Sequence, residues 1–249
     1  MTDTSSGTAL ARLDLALVAA GLFESRTKAQ EAVAAGLVSV DGRIVTKAGE
    51  RVPPDAKLQA EAPYPWVSRG GLKLVAALDR FAFDPRDQIC LDVGASTGGF
   101  TDVLLSRGAR QVYAVDVGHD QLHPRVRDDN RVRDLSGTDA RGLTAREIPE
   151  APGMIVCDAS FISLSLVLPA VLPLAAPAAM LIALVKPQFE AGIGGTRKGI
   201  VRDAAVREAA CARISALVGD LGWRVRDTIT SPVTGRDGNV EYLIGAVRP

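Results

Sequence analysis

The amino-acid sequence predicts an α/β protein: a doubly wound, mostly parallel sheet of seven strands, preceded by a small N-terminal α+β domain. Seven short apolar segments recur between residue 68 and the end of the chain, most of them separated by segments of helical length. Such alternation is typical of a parallel sheet with helices on both faces. Of the 249 residues, 47% are apolar and 23% are charged, which suits a globular protein with a sizeable core. Residues 10–60 carry a separate hairpin signal.

The N-terminal domain is predicted to contain two helices and a hairpin. The segment ARLDLALVAAG predicts a short amphipathic helix that ends at Gly21, and Ser25 is suited to cap a second helix that ends at Gly36. Asp41-Gly42 then lies between two extended segments, and this dipeptide is the strongest short hairpin signal. These elements define a domain of residues 10–60.

Two flanking segments bound this domain. Residues 1–9 are expected to be disordered, and residues 61–67, which contain two prolines, are expected to form a linker. The second domain then spans residues 68–249. Its predicted strands are Cys90–Val93, Gln111–Val115, Val132–Leu135, Met154–Cys157, Ala179–Val185, Arg224–Thr230 and Glu241–Val247.

The composition restricts the classes of function. Basic and acidic residues number 29 each, so any affinity for nucleic acid has to come from a local patch rather than from net charge. The three cysteines lack C-x-x-C spacing and lie in apolar contexts, which predicts buried thiols in a reducing cytosol. The N-terminus has no secretion-signal pattern. We therefore expect a cytoplasmic protein.

One uncharged run, Phe161–Val185, is long enough to span a bilayer. However, Pro169, Pro173 and Pro177 would break a spanning helix repeatedly. The run instead predicts a buried helix, a proline-marked turn and a fully buried strand that is followed by Lys186. No membrane association is expected.

The segment CLDVGASTGGFTD runs from the first predicted strand into a helix and is the candidate cofactor loop. Ligands of such sheets bind beyond the carboxyl ends of the strands, where helix N-termini present free N–H groups. The spacing D-x-G-x-x-x-G-G differs from the G-x-G-x-x-G that serves a pyrophosphate, so S-adenosylmethionine, a ligand without phosphates, fits better. The loop residues predicted to bind it are Asp92, Gly94, Ser96, Thr97, Gly98, Gly99 and Phe100.

Two more acidic residues support a nucleoside cofactor. Asp116 ends the second strand, 24 residues after Asp92, where a carboxylate can accept both ribose hydroxyls. Asp139 lies beyond the third strand and either faces the adenine or is a plain turn residue. Strand-end acids and glycine turns also occur without any ligand. The two motifs together, rather than either alone, therefore predict the cofactor site.

Asp158 and Lys186 follow the fourth and fifth predicted strands, which places both near the cofactor loop. A lysine in a partly dry site can have its pKa lowered toward neutrality and act as a general base. The alternative is a strand-end lysine whose ammonium group simply reaches solvent, which is common. Lys73, in the helix before the first strand, and Glu241, in the last strand, complete the candidate set.

The K-D-K-E tetrad of FtsJ-like ribose 2′-O-methyltransferases matches four residues here, in order and in local context: Lys73, Asp158, Lys186 and Glu241. The motifs WVSRGGLKL, LDVGASTGGFTD, CDASFISL, VKPQFEAG and GNVEY resemble those of the TlyA-type rRNA methyltransferases, also called the haemolysin A family, over nearly the whole chain. This resemblance implies a seven-stranded SAM-methyltransferase sheet. It also implies that Lys186 takes the proton of a ribose 2′-hydroxyl, while the other three residues orient that hydroxyl and set the charge around Lys186.

The segment RLDLALVAAGLFESRTKAQEAVAAGLVSVDG resembles the S4 RNA-binding module, which TlyA-type proteins carry. The resemblance implies RNA contacts by Arg12, Arg26 and Lys28, with Arg43 on the hairpin as a further candidate. Each of these could instead be an ordinary solvated charge. One departure is Tyr64, which stands where the family has a basic residue two positions before the tryptophan. It leaves the coupling between the two domains open.

The resemblance implies 2′-O-methylation of a cytidine in ribosomal RNA, with ribosomal subunits as partners. The chain stops at Pro249, just past the last strand, like the shorter family members that act on large-subunit rRNA, so 23S rRNA is favoured over 16S rRNA. No metal is expected, because His119 and His123 lie in a polar segment without a third ligand, and a monomer is favoured. The alternatives are a non-catalytic RNA-binding or ribosome-assembly factor, a membrane-active haemolysin, and a nicotinamide-dependent enzyme on the same sheet.

Overall fold

The computed structural model describes residues 10–191, 199–235 and 238–249. The chain divides into two compact units, Met1–Pro65 and Trp66–Pro249. This boundary lies inside the segment 61–67 that the sequence predicts to be a linker. Residues 1–9, for which disorder is predicted, lie outside the described residues.

The N-terminal unit packs two short helices against two small antiparallel sheets. Its elements are β1 (Ala11–Arg12), α1 (Leu13–Ala19), α2 (Arg26–Ala34), β2 (Val38–Val40), β3 (Arg43–Ile44), β4 (Arg51–Val52) and β5 (Leu58–Ala60). Strand β1 pairs with β4, and β2 lies between β3 and β5. As predicted, the Ser25 hydroxyl caps α2 by accepting the Lys28 N–H, and β2 and β3 form the hairpin around Asp41-Gly42. Leu13, Leu17 and other buried apolar side chains form the core of this unit.

Seven strands form a single sheet in the second unit. They are β6 (Ile89–Val93), β7 (Gln111–Asp116), β8 (Val132–Ser136), β9 (Met154–Cys157), β10 (Met180–Val185), β11 (Arg224–Thr230) and β12 (Tyr242–Val247). The order across the sheet is β11-β12-β10-β9-β6-β7-β8. Among the described strands of this sheet, β12 alone runs in the opposite direction to the other six. All seven predicted strands are confirmed, with ends that differ by at most one residue.

Helices cover both faces of this sheet, as a doubly wound fold requires. They are α3 (Gly70–Phe81), α4 (Gly99–Ser106), α5 (Pro124–Arg127), α6 (Leu164–Val171), α7 (Pro187–Glu190) and α8 (Ala204–Asp220). On one face, α3 and α4 contribute Leu74 and Val103 to a buried apolar cluster. On the other face, α6 and α8 contribute Leu168 and Ile214. Removing such a side chain from water stabilises the fold by about 1.5–3 kcal/mol.

The uncharged run Phe161–Val185 forms α6, a 3-10 turn at Leu172–Leu174 and β10. The residues of β10 from Leu181 onward are fully buried. The predicted helix, turn and buried strand are therefore confirmed. None of the described helices is both long and apolar enough to cross a bilayer.

Two of the three cysteines are buried as predicted. Burial raises the pKa of the Cys90 and Cys157 thiols to about 12. Cys211 on α8 is only partly buried, so the prediction of a buried thiol is wrong there. The reason is helical geometry: its neighbour Ala210 faces the core, and one residue of rotation turns Cys211 toward the side of the helix.

Candidate active site

Parallel strands bring the candidate residues to one edge of the sheet. Val93, the last residue of β6, pairs in register with Val115 of β7 and with Cys157 of β9. Asp116 and Asp158 are the next residues on those two strands, so both carboxylates lie at the carboxyl ends of neighbouring strands. This edge is where open α/β sheets bind their ligands.

A cavity of about 570 Å³ opens at this edge. Its walls come from the loops that follow β6, β7, β8 and β9. Its size lies within the range of small-molecule and cofactor pockets. Four of the nine predicted cofactor residues line it: Gly94, Ser96, Asp116 and Asp139.

Asp116 organises the loop on which the cavity is built. Its Oδ2 accepts the Ser96 N–H at 2.8 Å, and its Oδ1 accepts the Gly118 N–H at 2.8 Å. Each carboxylate oxygen has two lone pairs, so both can still accept a hydrogen bond from a ligand. The carboxylate therefore fixes the loop and retains the capacity to bind a pair of ribose hydroxyls.

Gly94 is required by a close approach of two loops. Its φ is +83°, and a Cβ placed there would lie 2.9 Å from the carbonyl carbon and oxygen of Asp158. A side chain would thus combine a strained backbone with a backbone clash. The absence of a side chain allows the loops after β6 and β9 to meet at the cavity wall.

Asp139 lines the cavity and is also held by a neighbour. Its carboxylate accepts the backbone N–H and the guanidinium of Arg141, and the hydrogen bond from that side chain lowers the pKa of Asp139 to about 2. The two alternatives raised by the sequence are therefore compatible. Asp139 caps a 3-10 turn and still faces the ligand cavity.

The remaining predicted cofactor residues lie elsewhere. Thr97, Gly99 and Phe100 line a second cavity of about 240 Å³ on the α3 side of the loop. Gly98, at the start of α4, packs near Val126 and lines neither cavity, and its role as a cofactor residue stays a prediction.

Asp92 also lines neither cavity, and its role as a cofactor residue stays a prediction. Side chains alternate along a strand, so Asp92 points to the same face as Cys90, toward α4. Its Oδ2 accepts the Thr101 hydroxyl at 2.7 Å, while its Oδ1 has no hydrogen-bond donor among the described residues. Burial raises the pKa of Asp92 to about 7. Asp92 therefore connects the end of β6 to α4 through its hydrogen bond with Thr101.

The predicted tetrad forms two ion pairs. In the first, Lys73 Nζ lies 2.6 Å from Glu241 Oε2, and both side chains are almost fully buried. In the second, Lys186 Nζ lies 2.5 Å from Asp158 Oδ1. The Lys186 ammonium also donates to the Asp158 carbonyl at 3.2 Å and to the Ser160 hydroxyl at 2.5 Å.

The two ion pairs lie close together. In the sheet, Val185 of β10 is opposite Tyr242 of β12, and Lys186 and Glu241 are the next residues beyond that pair. Lys73 and Asp158 both line the smaller cavity, and Asp158 also lines the larger one. The four predicted groups thus lie together, with Lys73 and Asp158 at the cavity walls and Glu241 and Lys186 paired with them.

Two contacts of the tetrad have little signal in the sequence. Ser160 lies two residues after Asp158, and nothing in the sequence marks it as a site residue except its place in CDASFISL. Gly235 leaves room for Glu241, since a Cβ on this glycine would lie 2.1 Å from Glu241 Oε1. The only sequence feature that points to Ser160 is its position two residues after the strand-end acid Asp158.

In the N-terminal unit, Asp14 brings two predicted RNA-binding residues together. Arg12 donates from Nε and Nη2 to its two oxygens at 3.1 Å, and Arg26 Nη2 donates to Oδ2 at 3.0 Å. Gln30 adds a further bond at 2.7 Å. Asp14 is fully buried, and the hydrogen bonds from Arg12 hold its pKa well below the usual range. Both arginine side chains remain about half exposed.

The other two predicted RNA-binding residues have separate partners. Arg43 pairs with Glu50, and Lys28 Nζ lies 5.4 Å from the centre of the Tyr64 ring. The Tyr64 hydroxyl donates to Glu31, and Tyr64 is buried. The residue that departs from the family pattern is therefore packed within the N-terminal unit.

The histidines and acids do not assemble a metal centre within residues 10–191, 199–235 and 238–249, where no group of three potential ligands occurs. His119 is exposed. His123 Nδ1 accepts the Arg125 N–H at the start of α5, so this ring caps a helix.

The strand order, with β12 as the one antiparallel strand between β10 and β11 of the described sheet, is the fold of methyltransferases, and the class is shown by a family match. A family model described as FtsJ-like methyltransferase matches residues 66–248, and one described as S4 domain matches residues 11–58. The chain belongs to the FtsJ-like methyltransferase family and carries an N-terminal S4 domain.

Relatives are similar across both units. The 16S/23S rRNA (cytidine-2′-O)-methyltransferase TlyA of Mycobacterium tuberculosis is 44% identical over 237 residues, which cover 94% of this chain and 88% of that protein. The 23S rRNA (cytidine-2′-O)-methyltransferase TlyA of Campylobacter jejuni is 37% identical over 180 residues, which cover 72% and 69%. The solved structure of a candidate hemolysin from Streptococcus thermophilus is 40% identical, with a TM-score of 0.76 and coverage of 97% and 90%.

Proposed function

We propose that this protein transfers a methyl group from S-adenosylmethionine to the 2′-hydroxyl of a cytidine in ribosomal RNA, with 23S rRNA as the favoured substrate. The observation that carries the proposal is the convergence of the two Lys–carboxylate pairs beside a cavity of cofactor size. The choice of cytidine and of ribosomal RNA is supported by the names of the two TlyA relatives, both of which include 23S rRNA.

The larger cavity suits the proposed cofactor. Asp116 has acceptor sites left for ribose hydroxyls, and Asp139 offers an acceptor for an adenine amino group. Asp158 adds a carboxylate to the wall, which favours a ligand that carries positive charge. When bound, S-adenosylmethionine supplies a methyl group on a positively charged sulfur, which a nucleophilic oxygen can attack.

Lys186 is proposed as the residue that takes the proton from the ribose hydroxyl. Its Nζ is almost buried and is held by Asp158 and Ser160, so its position is fixed before RNA binds. In its neutral amine form Nζ has one lone pair for the proton. Lys73, which lines the smaller cavity, and its ion-pair partner Glu241 are proposed to orient the hydroxyl.

Charge balance within the tetrad suits Lys186 as the proton acceptor. Two ammonium groups face two carboxylates, so the four groups carry no net charge when all are ionised. When Lys186 is the neutral amine and accepts the substrate proton, the set returns to this balanced state, because the new ammonium group lies beside the Asp158 carboxylate.

The S4 unit is proposed to position the ribosomal RNA. Arg12 and Arg26 present half-exposed guanidinium groups side by side, and Lys28 and Arg43 add two more cations to the same unit. Contacts from such groups to phosphates orient a protein on RNA without reading its sequence. The protein is accordingly proposed to act as a soluble monomer on ribosomal subunits in the cytoplasm.

The decisive experiment incubates the protein with radiolabelled S-adenosylmethionine and isolated large or small ribosomal subunits that lack the modification. Alkali then digests the RNA, and a 2′-O-methyl group blocks scission at its own position. We expect the label in an uncut dinucleotide from the large subunit. Label in mononucleotides would mean base methylation and would contradict the proposal.

Lys186→Ala is the matched test of mechanism, with Arg86→Ala as a control at an exposed cation of the same unit. The control should keep full activity, and Lys186→Ala should lose at least about 100-fold, the usual range for a general base. Persistent transfer by Lys186→Ala would remove Lys186 from the mechanism. Calorimetry with S-adenosylmethionine and NAD separately tests the nicotinamide alternative.

A further inference from the structure

Two segments at the candidate active site are joined at both ends. The first, residues 158–164, follows β9, and the second, residues 186–190, follows β10. Lys186 holds the start of the first segment through the Asp158 carbonyl and the Ser160 hydroxyl. The end of the first segment is held by Glu190, which plays no part in the tetrad.

Glu190 makes two strong hydrogen bonds to the first segment. Its Oε1 accepts the Leu164 N–H at 2.8 Å, and its Oε2 accepts the Ser163 hydroxyl at 2.6 Å. Leu164 is the first residue of α6, and Ser163 is its N-cap. The carboxylate therefore satisfies an N–H that has no partner within the helix and fixes the residue at which α6 begins.

The Glu190 side chain is only 1% exposed, so its charge has been removed from water. A buried carboxylate is retained only when its oxygens are well paired. Glu190 is also held by Arg213 on α8, whose Nη2 donates to the Glu190 backbone carbonyl and lies 3.4 Å from Oε2, and whose side chain is 52% exposed. The Glu190 carboxylate itself is therefore paired mainly with Ser163 and Leu164, whereas the close bond from Arg213 goes to the Glu190 backbone.

The segment that Glu190 holds forms part of the cofactor wall. Ala159, Ser160, Phe161 and Ile162 all line the larger cavity. Phe161 has a φ of +63°, a conformation that costs an aromatic residue free energy and persists only when its surroundings impose it. A strained segment with a free end would relax, so both of its ends need to be fixed.

We propose that Glu190 is a positioning residue for methyl transfer: it fixes the end of the segment 158–164, and through that segment it sets the cofactor wall and the places of Asp158 and Ser160 around Lys186. Glu190 touches neither substrate nor cofactor in this role. The proposal rests on the proposed function only in naming the reaction. The structural coupling between residues 186–190 and 158–164 stands without it.

The test compares Glu190→Ala with Glu190→Gln. Glutamine keeps an oxygen for the Leu164 N–H, and its amide can donate to the Ser163 hydroxyl, so the geometry survives while the charge is lost. We expect Glu190→Gln to stay within about 3-fold of the wild type, and Glu190→Ala to lower kcat about 10- to 100-fold, as an ångström-scale displacement of reacting groups does. Glu190→Ala should also weaken S-adenosylmethionine binding in calorimetry.

Two controls separate positioning from stability. Arg213→Ala removes the half-exposed cation and its hydrogen bond to the Glu190 backbone carbonyl but leaves both carboxylate bonds to residues 163 and 164, so kcat should stay within about 3-fold of the wild type. Val218→Ala opens a gap in the buried face of α8 and supplies a variant with lowered Tm but an intact segment. If Glu190→Ala loses no more kcat than Val218→Ala, measured at a temperature where both are folded, the proposal is overturned.

A readout independent of activity is hydrogen exchange of the backbone amides of the full chain. In Glu190→Ala, exchange at residues 159–164 should rise about 10-fold or more while α8 stays protected, because a local opening needs no global unfolding. Unchanged protection at Leu164 would overturn the proposal even in an active enzyme. Failure of the wild type to methylate RNA would instead contradict the proposed function and leave this exchange result to decide the inference.

Discussion

Lys73 Nζ lies 2.6 Å from Glu241 Oε2, although 168 residues separate them in the chain. Lys73 belongs to α3, which precedes the first strand of the sheet, and Glu241 immediately precedes its last strand, β12. Both side chains are nearly inaccessible to solvent. A buried ion pair contributes little net stability compared with apolar residues of similar volume, so its presence here agrees with a chemical role.

Breaking this pair should destabilise the fold, and replacing both partners should not. We expect Lys73→Met alone to lower the free energy of unfolding by about 3–5 kcal/mol, because it leaves the Glu241 carboxylate buried and unpaired. The double variant Lys73→Met with Glu241→Met should return to within about 2 kcal/mol of the wild type. Urea unfolding measures both values. Methyl transfer should be lost in single and double variants alike, and an active double variant would mean that the pair is purely structural.

Gly235 sets the position of Glu241. A Cβ on this residue would meet Glu241 Oε1 at 2.1 Å, and the carboxylate is the group free to move away. We expect Gly235→Ala to lower kcat about 10-fold or more by separating Glu241 from Lys73, with S-adenosylmethionine affinity unchanged, because neither residue lines the larger cavity. Kinetics and calorimetry test the two halves of this expectation.

Gly219→Ala is the matched control for that substitution. Gly219 lies near the end of α8, and a Cβ there meets nothing within 4 Å. Alanine is favoured over glycine in helices by about 1 kcal/mol, so the control should be fully active and slightly more stable. Equal activity of Gly235→Ala and Gly219→Ala would show that the position of Glu241 does not matter for transfer.

Much of the fold was predictable because its signals are local. Buried parallel strands leave continuous apolar runs, and the dipeptide Asp41-Gly42 specifies a hairpin through its own backbone preferences. The strand-end positions of Asp116 and Asp158 were predictable for the same reason, since parallel strands end at a common edge. These features need no knowledge of which segments meet in three dimensions.

The rest of the site depends on contacts between distant segments. Ser160 and Glu190 became relevant only when β9 and β10 were placed side by side, which joins their loops. Asp92 was predicted as a cofactor residue from its place near a strand end, yet side-chain alternation turns it away from the cavity. Asp14 was passed over because its importance arises from Arg12 and Arg26 together, and no local pattern reveals that pairing.

Asp14 should stabilise the N-terminal unit in a pH-dependent way. Hydrogen bonds from Arg12 lower its pKa in the folded protein, so its contribution is complete above the unfolded value of 3.8 and is lost as pH falls below it. We expect Asp14→Asn to destabilise this unit at pH 7 by about 2 kcal/mol, the scale of hydrogen bonds to charged groups. Hydrogen exchange of α1 and α2 reports this unit alone.

The difference between Asp14→Asn and the wild type should shrink as pH falls from about 5 to about 2, since protonation then removes the charge from the wild type as well. Asp55→Asn, at an exposed acid of the same unit, is the control and should show no such change. If the stability difference between Asp14→Asn and the wild type did not change with pH, the charge of Asp14 would not contribute to the stability of this unit.

The stability contribution of Asp92 should change with pH in the opposite direction to that of Asp14. Burial raises its pKa from 3.8 to about 7 in the folded protein, so between these values the folded state binds more protons than the unfolded state. Stability attributable to Asp92 therefore falls as pH rises through this window, and the full penalty, on the order of a few kcal/mol, is reached above it. Asp92→Asn keeps an oxygen for the Thr101 hydroxyl but has no charge to bury.

We therefore expect Asp92→Asn to gain stability relative to the wild type as pH rises from about 5 to about 8, with a slope of at most about 1.4 kcal/mol per pH unit. Urea unfolding at several pH values measures it, and the other titrating groups cancel because both proteins share them. Asp84→Asn, at an exposed acid, should give a flat difference. A flat difference for Asp92→Asn as well would show that the carboxylate is already ionised at pH 5 and would contradict the raised pKa of Asp92.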